Sequence, residues 1–408
     1  MQVLKRTYHF IFLTVMLILA NGCVEEIDFI TETFESVLVI DATITNEVKT
    51  HTIKLSRSYR FEEEGPFPET GATVQILSDT DVISFIELSP GAYSSSMEFK
   101  AMPAINYQLE VMTSDGRTYS SDAVQLAQES EMDNLYAVRE DNDDGINSMS
   151  MYVDSYDPSG NSKFYRYEFE ETYKIIAPKW VAFDMIVIND VWPDCDVKLV
   201  PKTIEKRICY GSNKSVDIIQ TNTTGLSEDR VSRFLVHQIH SDDFKLTTRY
   251  SILVKQYIQS LEAYTYFETL NEFTGEGSLF SSTQPGFFNG NVLSNTNLEE
   301  KVIGFFDVSS VSEERIFFNF ADFYMGDPSP PFVVSCGAQA PLDDLGHPAD
   351  RCGPLLSGLQ SGSIVYYMPN ENDMPGPNDK EGPYLVVARA CGDCTILGEN
   401  VAPNFWEE

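Results

Sequence analysis

His237-Gln-Ile-His240, followed by Asp242-Asp243, is the one ligand-like cluster in a chain with five histidines. Two imidazoles three residues apart share a metal on a helix, but on a strand they point to opposite faces. The surrounding Phe234-Leu-Val-His-Gln-Ile239 reads as strand. Asp141-Asn142-Asp143-Asp144 carries the oxygens calcium favours, yet lacks the glycine and terminal Glu of an EF-hand loop. It reads as a solvated loop, and calcium is left unsupported. Glu170-Glu171 and Glu299-Glu300 are adjacent carboxylates, which diverge on a strand and so make no ready acid–base pair. GxSxG, HExxH and Walker A patterns are absent. The expectation is a protein without catalytic residues or a metal, and not an enzyme.

The cysteines divide as one plus six. Cys195, Cys209, Cys336, Cys352, Cys391 and Cys394 form an even set, which in an exported protein reads as disulfides. Six cysteines allow many pairings, and local proximity favours Cys195 with Cys209 around a charged, stapled loop. Cys391-Gly-Asp-Cys394 has the spacing of half a zinc site, but Cys336 and Cys352 stand too far apart for a second knuckle. No βαβ pattern surrounds the CxxC, so a thioredoxin-like redox role is not favoured.

Cys23 is the remaining one. Lys5-Arg6, an apolar run from Phe10 to Ala20, and Asn21-Gly22 precede it, the pattern of a secretory signal peptide over residues 1–22. The run is shorter than the roughly 20 residues a spanning helix needs. A cysteine directly after the small residues resembles the lipobox of bacterial lipoproteins, with Ala20 where Leu is usual. Val24-Glu25-Glu26 opens a lipidated acidic tether over 23–35 and resembles a surface-export signal. No cofactor is expected beyond covalent lipid on Cys23.

The formal charge of −34 repels phosphate, so nucleic acid is not an expected partner. Nor would charge hold the protein on anionic headgroups; membrane attachment falls to the acyl anchor. At 42% hydrophobic residues the chain supports real cores.

The elements that would position any site are mostly strands. From Val37 the chain alternates at period two, with Leu38, Ile40, Ala42 and Ile44 on one face. Further strands are predicted at 51–56, 72–77, 84–88, 107–112 and 118–121, separated by Pro and Gly turns, the spacing of a β-sandwich over 36–127. Gly71-Ala-Thr-Val-Gln-Ile76 and Pro90-Gly-Ala-Tyr93 resemble carboxypeptidase-regulatory or prealbumin-like modules. The polar stretch 129–147 reads as a boundary or exposed loop. A second β-rich domain over 128–320 follows, with strands at 149–153, 164–170, 232–240, 247–257, 301–307 and 315–321. Its one helix has Ser260 as N-cap, packs Tyr264, Tyr266, Phe267 and Phe273, and stops at Gly275 or Gly277. Residues 321–408, rich in Cys, Pro and Gly, read as a stapled segment packed on that domain.

Leu253-Val-Lys-Gln-Tyr257, Glu262-Ala-Tyr264, Gly277-Ser-Leu-Phe280, Gly290-Asn291, Val302-Ile-Gly-Phe-Phe306 and Ser309-Ser-Val-Ser312 occur in that order. Cys391-Gly-Asp-Cys394, Gly398 and Pro403-Asn-Phe-Trp406 come after them. With the lipobox and Leu38–Asn46, these resemble the Bacteroidota family called domain of unknown function 4249. The resemblance implies an outer-membrane lipoprotein often encoded beside SusC-like TonB-dependent transporters, and it carries no catalytic residues. Taken alone, Gly277, Gly290 and Gly304 read as turn or bulge positions.

The expected function is therefore a surface-exposed outer-membrane lipoprotein, an accessory or ligand-capturing subunit of a SusC-like uptake complex. Its partner would be the transporter or a SusD-like lipoprotein. A stand-alone glycan- or peptide-binding module is the alternative, with Trp192, Tyr366, Tyr367 or Trp406 as stacking residues. Trp406 also reads as an anchor that orders the tail. A cryptic hydrolase among the carboxylates is the third reading.

Overall fold

The computed structural model describes residues 36–60, 62–274, 290–346, 349–371 and 381–408. The signal peptide, Cys23, the tether and the helix stop at Gly275 or Gly277 lie outside these residues. Strand Leu38–Thr45 buries Leu38, Ile40, Ala42 and Ile44 and turns Asp41 to solvent. It pairs antiparallel with Thr52–Arg57. The sheet continues through Ala92–Ser95, Val82–Ser89, Thr73–Ser78, Asn106–Met112 and Thr118–Ser121 to Val292–Ser294. Ile53, Val74, Tyr93, Leu109, Tyr119 and Val292 meet in one core, so the sheet must curl around it. Asn291 closes the roll. Its Oδ1 accepts the Phe306 N–H at 2.7 Å and its Nδ2 donates to the Phe306 carbonyl at 2.9 Å.

The strands predicted at 301–307 and 315–321 are one strand, Val302–Asn319. Its first half runs parallel to Leu38–Thr45, and its second half antiparallel to Arg249–Ile258. It therefore joins two cores, giving Phe306 and Val308 to one and Phe318 to the other. The serines between suggest a break, but Ser309 and Ser310 are buried with partners. Ser309 donates to Asp307 Oδ2 at 2.6 Å and Ser310 to the Gln128 carbonyl at 3.0 Å. Satisfied hydroxyls let a strand continue through them.

In the second region, Phe164–Ile176 lies between Ile208–Lys214 and Arg249–Ile258. A separate sheet of Asn134–Asp141, Asn147–Tyr156 and Arg230–His240 packs across it, with Met149, Met151, Val236 and Ile239 against Tyr167, Ile252 and Val254. The stretch 129–147 thus contains a strand rather than a loop. Of that outer strand only Leu135 is buried, so it carries no apolar alternation to betray it. Helix Leu261–Thr274 starts where the cap predicts, Ser260 Oγ accepting the Ala263 N–H at 3.1 Å. Ala263, Tyr264 and Tyr266 are buried, and Tyr266 packs on Phe305.

Three short helices, Phe320–Phe323, Pro354–Ser361 and Arg389–Gly392, add to the single helix expected. Hairpin Phe183–Asn189/Asp196–Pro201 packs on Pro354–Ser361 and hairpin Ile364–Pro369/Tyr384–Ala388 around Met185, Leu355, Leu356, Tyr366 and Val386. The predicted pairing of Cys195 with Cys209 is wrong. The bridges are Cys195–Cys352, Cys209–Cys394 and Cys336–Cys391. Cys195 sits in the connection of the hairpin that packs on Leu355, whereas Cys209 faces the main core, where the tail brings Cys394. Cys391 and Cys394 reach different partners, so the CxxC is neither a dithiol pair nor half a zinc site.

Candidate functional site

Phe169, Glu171 and Tyr173 alternate along one strand and share the face below Arg230–His240. They form the floor of a cleft of about 840 Å3, walled by residues 213–220 on one side and 234–238 on the other. A second hollow of about 480 Å3 continues from His237, Gln238 and Lys245 to Pro331, Phe332 and Val333. Volumes of this size are typical of ligand sites.

Glu171 is the centre of the floor. Lys245 Nζ donates to its Oε1 at 2.6 Å and Asn213 Nδ2 at 2.8 Å. Tyr250 Oη donates to its Oε2 at 2.6 Å, and His237 Nε2 lies 3.3 Å from the same atom. Burial pushes the carboxyl up, but the bonds from His237, Lys245, Tyr250 and Asn213 outweigh it and hold the group at about 2. Burial also raises the Tyr250 hydroxyl, and the adjacent Glu171 charge adds to this, so it stays a donor. Burial works against the Lys245 charge, yet Glu171 raises that ammonium above its ordinary range.

The side chain of Glu171 is 2% exposed, against 23% for Lys245 and 19% for His237. The cleft therefore meets an ammonium, an imidazole and aromatic rings, while the carboxylate stays beneath. A carboxylate held ionised by four donors is no general acid; it fixes the positions of its partners. Its neighbour Glu170 turns the other way, to Lys214 at 3.4 Å. Asn213, Lys245 and Tyr250 carry no motif. The signal available is a carboxylate in register with two aromatics, Phe-x-Glu-x-Tyr, where an apolar residue would be usual.

The predicted stacking residues do not converge. Tyr366 is buried among Leu355, Leu356 and Val386, and so offers no face to a ligand. Tyr367 lies under Lys179, whose Nζ is 4.9 Å from the ring centroid. The Trp192 Nε1 donates to Asp344 Oδ1 at 3.1 Å. Trp406 sits between Tyr210 and Phe317, with centroids at 4.9 and 5.7 Å. None of the four lines the cleft. Of the histidine pair, His237 turns to Glu171 and His240 is exposed. Among the described residues no group of His, Cys, Asp and Glu is arranged to hold a metal. In the Asp141–Asp144 turn, Asn142 Oδ1 accepts the N–H groups of Asp144 and Ile146, at 3.1 and 2.8 Å.

No curated protein matches this sequence. A family model does, over residues 24–315, a span that holds the Glu171 network, both walls of the larger cleft and most of the strand shared by the two cores. The chain belongs to the family described as Domain of unknown function (DUF4249).

Proposed function

We propose that this is a lipid-anchored, surface-facing outer-membrane lipoprotein that captures a ligand in the cleft above Glu171. We further propose that it serves as an accessory subunit of a SusC-like TonB-dependent uptake complex. The observation that carries ligand capture is the open cleft of about 840 Å3 over a carboxylate whose four donors are already fixed. Preorganised polar groups in a concave, partly apolar wall are what small binding sites share. The setting rests on Cys23 after its signal-like segment, on Glu25-Glu26, and on the pairing of all six described cysteines, which is the usage of exported proteins. The transporter partnership rests on the family resemblance.

The test is mild-detergent extraction of the tagged protein from its native membranes, followed by mass spectrometry. A stoichiometric TonB-dependent transporter is the expected companion, and a protein recovered alone overturns the accessory role. Cys23→Ala is expected to release the chain from the membrane fraction. A variant that stays membrane-bound removes the anchor.

A further inference from the structure

Arg230–His240 is the outer strand of its sheet, paired only with Asn147–Tyr156 among the described residues. An outer strand carries a row of backbone donors and acceptors that a second chain can pair with. Two edges elsewhere in this protein are covered. Tyr210 exchanges backbone bonds with Glu399 at 2.8 and 3.0 Å, and Val386 does the same with Gln339 at 2.8 and 2.9 Å. Along 231–239 no backbone bond leaves the far side of the strand among the described residues.

The ladder fixes which groups are free. Ser241 N–H bonds to the Asn147 carbonyl at 2.9 Å, and Ser148 stands opposite His240, Ser150 opposite Gln238. Bonded and non-bonded pairs alternate in an antiparallel ladder, so Gln238 and His240 turn their backbone groups outward. The His240 carbonyl is taken by the Asp243 N–H at 3.0 Å. Among the described residues Gln238 keeps both its groups, and His240 its N–H.

Gln238 lines both hollows, so the free edge runs along their length. The apolar walls stand ready beside it, with Leu235 41% exposed and Val216 93%. The aromatic rings are already packed: Phe169 on His237 at 4.1 Å, Phe234 on Tyr167 at 5.2 Å, and Tyr173 edge-on to Phe244 at 5.6 Å. A sugar would need free ring faces, whereas an extended chain needs a free backbone row and apolar walls. The cleft offers the second set.

We propose that an extended peptide segment adds as a strand along Phe234–His240, pairing with the outward backbone groups of Gln238 and His240 and placing an apolar side chain between Leu235 and Val216. The inference rests on the cleft being the ligand site and names the class of ligand.

The test uses the full-length protein in detergent and a random dodecapeptide display library, with synthetic copies of enriched peptides as probes. Methylating alternate peptide amides is expected to weaken binding about tenfold in one register and to be tolerated in the other. Gln238→Pro removes an outward N–H that the protein's own ladder does not use, together with the bond from Gln238 Nε2 to Ser150 Oγ at 2.7 Å, so Gln238→Ala, which loses only the latter, is the control. It is expected to weaken the same peptides about tenfold relative to Gln238→Ala, with an unfolding midpoint close to that of the control. Should that variant fail to fold, the methylated peptides decide. No enriched peptide, equal tolerance in both registers, or equal binding to Gln238→Pro overturns the proposal. A transporter that co-purifies while the library yields nothing overturns the peptide and leaves the accessory role standing. A peptide that binds in register to a protein purified alone has the opposite meaning.

Discussion

Gly290 and Gly304 meet backbone to backbone: a Cβ on Gly290 would stand 1.6 Å from the Gly304 carbonyl oxygen. Gly304 has φ of 149°, and a Cβ there would meet the Ile40 carbonyl oxygen at 2.3 Å. Three chain segments therefore pack at one point, where the 302–319 strand passes between 38–45 and the 292–294 segment. Neither glycine is there to make a turn; each is there because only hydrogen fits. Gly290→Ala is expected to cost about 1–3 kcal/mol or more through overpacking. Gly225→Ala, with nothing near its added carbon, is the control. Urea unfolding of both variants checks this, and equal midpoints would refute the close approach.

Acid should remove what the Glu171 network contributes. The folded carboxyl lies near 2 against an ordinary 4.5, so the folded state binds its proton later than the unfolded chain. The contribution is then fully present above pH 4.5 and is lost as the pH falls toward 2, a term on the order of 3 kcal/mol. Glu171→Gln should lower stability at neutral pH, where it takes from Lys245 the carboxylate bonded to it and leaves only the more distant Asp243 charge. The gap to wild type should shrink steadily below pH 4.5. A constant gap from pH 7 to pH 2.5, by denaturant titration, would show that Glu171 is not the titrating group.

Non-reducing digestion and mass spectrometry should recover Cys195–Cys352, Cys209–Cys394 and Cys336–Cys391 as the linked pairs. Breaking any of them, for example by Cys394→Ser, is expected to cost about 2–5 kcal/mol. The closed loops span 185, 157 and 55 residues, and because closure entropy grows with the logarithm, the costs should differ by only about 1 kcal/mol. A peptide joining Cys391 to Cys394, or Cys195 to Cys209, contradicts the fold at the tail.

Features legible in the sequence are the local ones. A half-buried strand writes its buried face at every second residue, as Leu38–Ile44 and Tyr107–Val111 do. A helix start is equally local, and Ser260 marks it. The outer strand Asn134–Asp141 buries only Leu135, and its short apolar run Leu135–Val138 sits among acidic and polar residues, so no period-two face marks it as a strand. The long 302–319 strand hides because its buried serines find partners at Asp307 and Gln128, which no spacing reveals. Cysteine pairing is hidden for the same reason, since proximity in sequence says little about which sheet a residue joins. The site is the extreme case. Asn213 and Tyr250 come from the strands flanking that of Glu171, Lys245 from the turn before one of them, and His237 from the sheet packed across, and no spacing in the sequence brings the four together. Aromatics are the visible candidates, and in the structure they fill cores and hold the tail.

Trp406 is the clearest of these. Its ring stands edge-on to Tyr210 and Phe317, and Arg315 lies 3.6 Å above the neighbouring Phe405 ring. Glu408 then reaches Lys174 at 2.6 Å. These contacts tie the last residues across strands 208–214 and 302–319, close to where Cys394 is already bonded to Cys209. The disulfide holds the tail at one point; the indole holds the stretch beyond that bridge. Trp406→Ala should therefore cost about 1–3 kcal/mol through lost aromatic burial. It should also make the residues after Cys394 sensitive to carboxypeptidase, while leaving ligand binding in the cleft unchanged. A variant of full stability with weakened ligand binding would reverse the assignment and make Trp406 part of a binding surface.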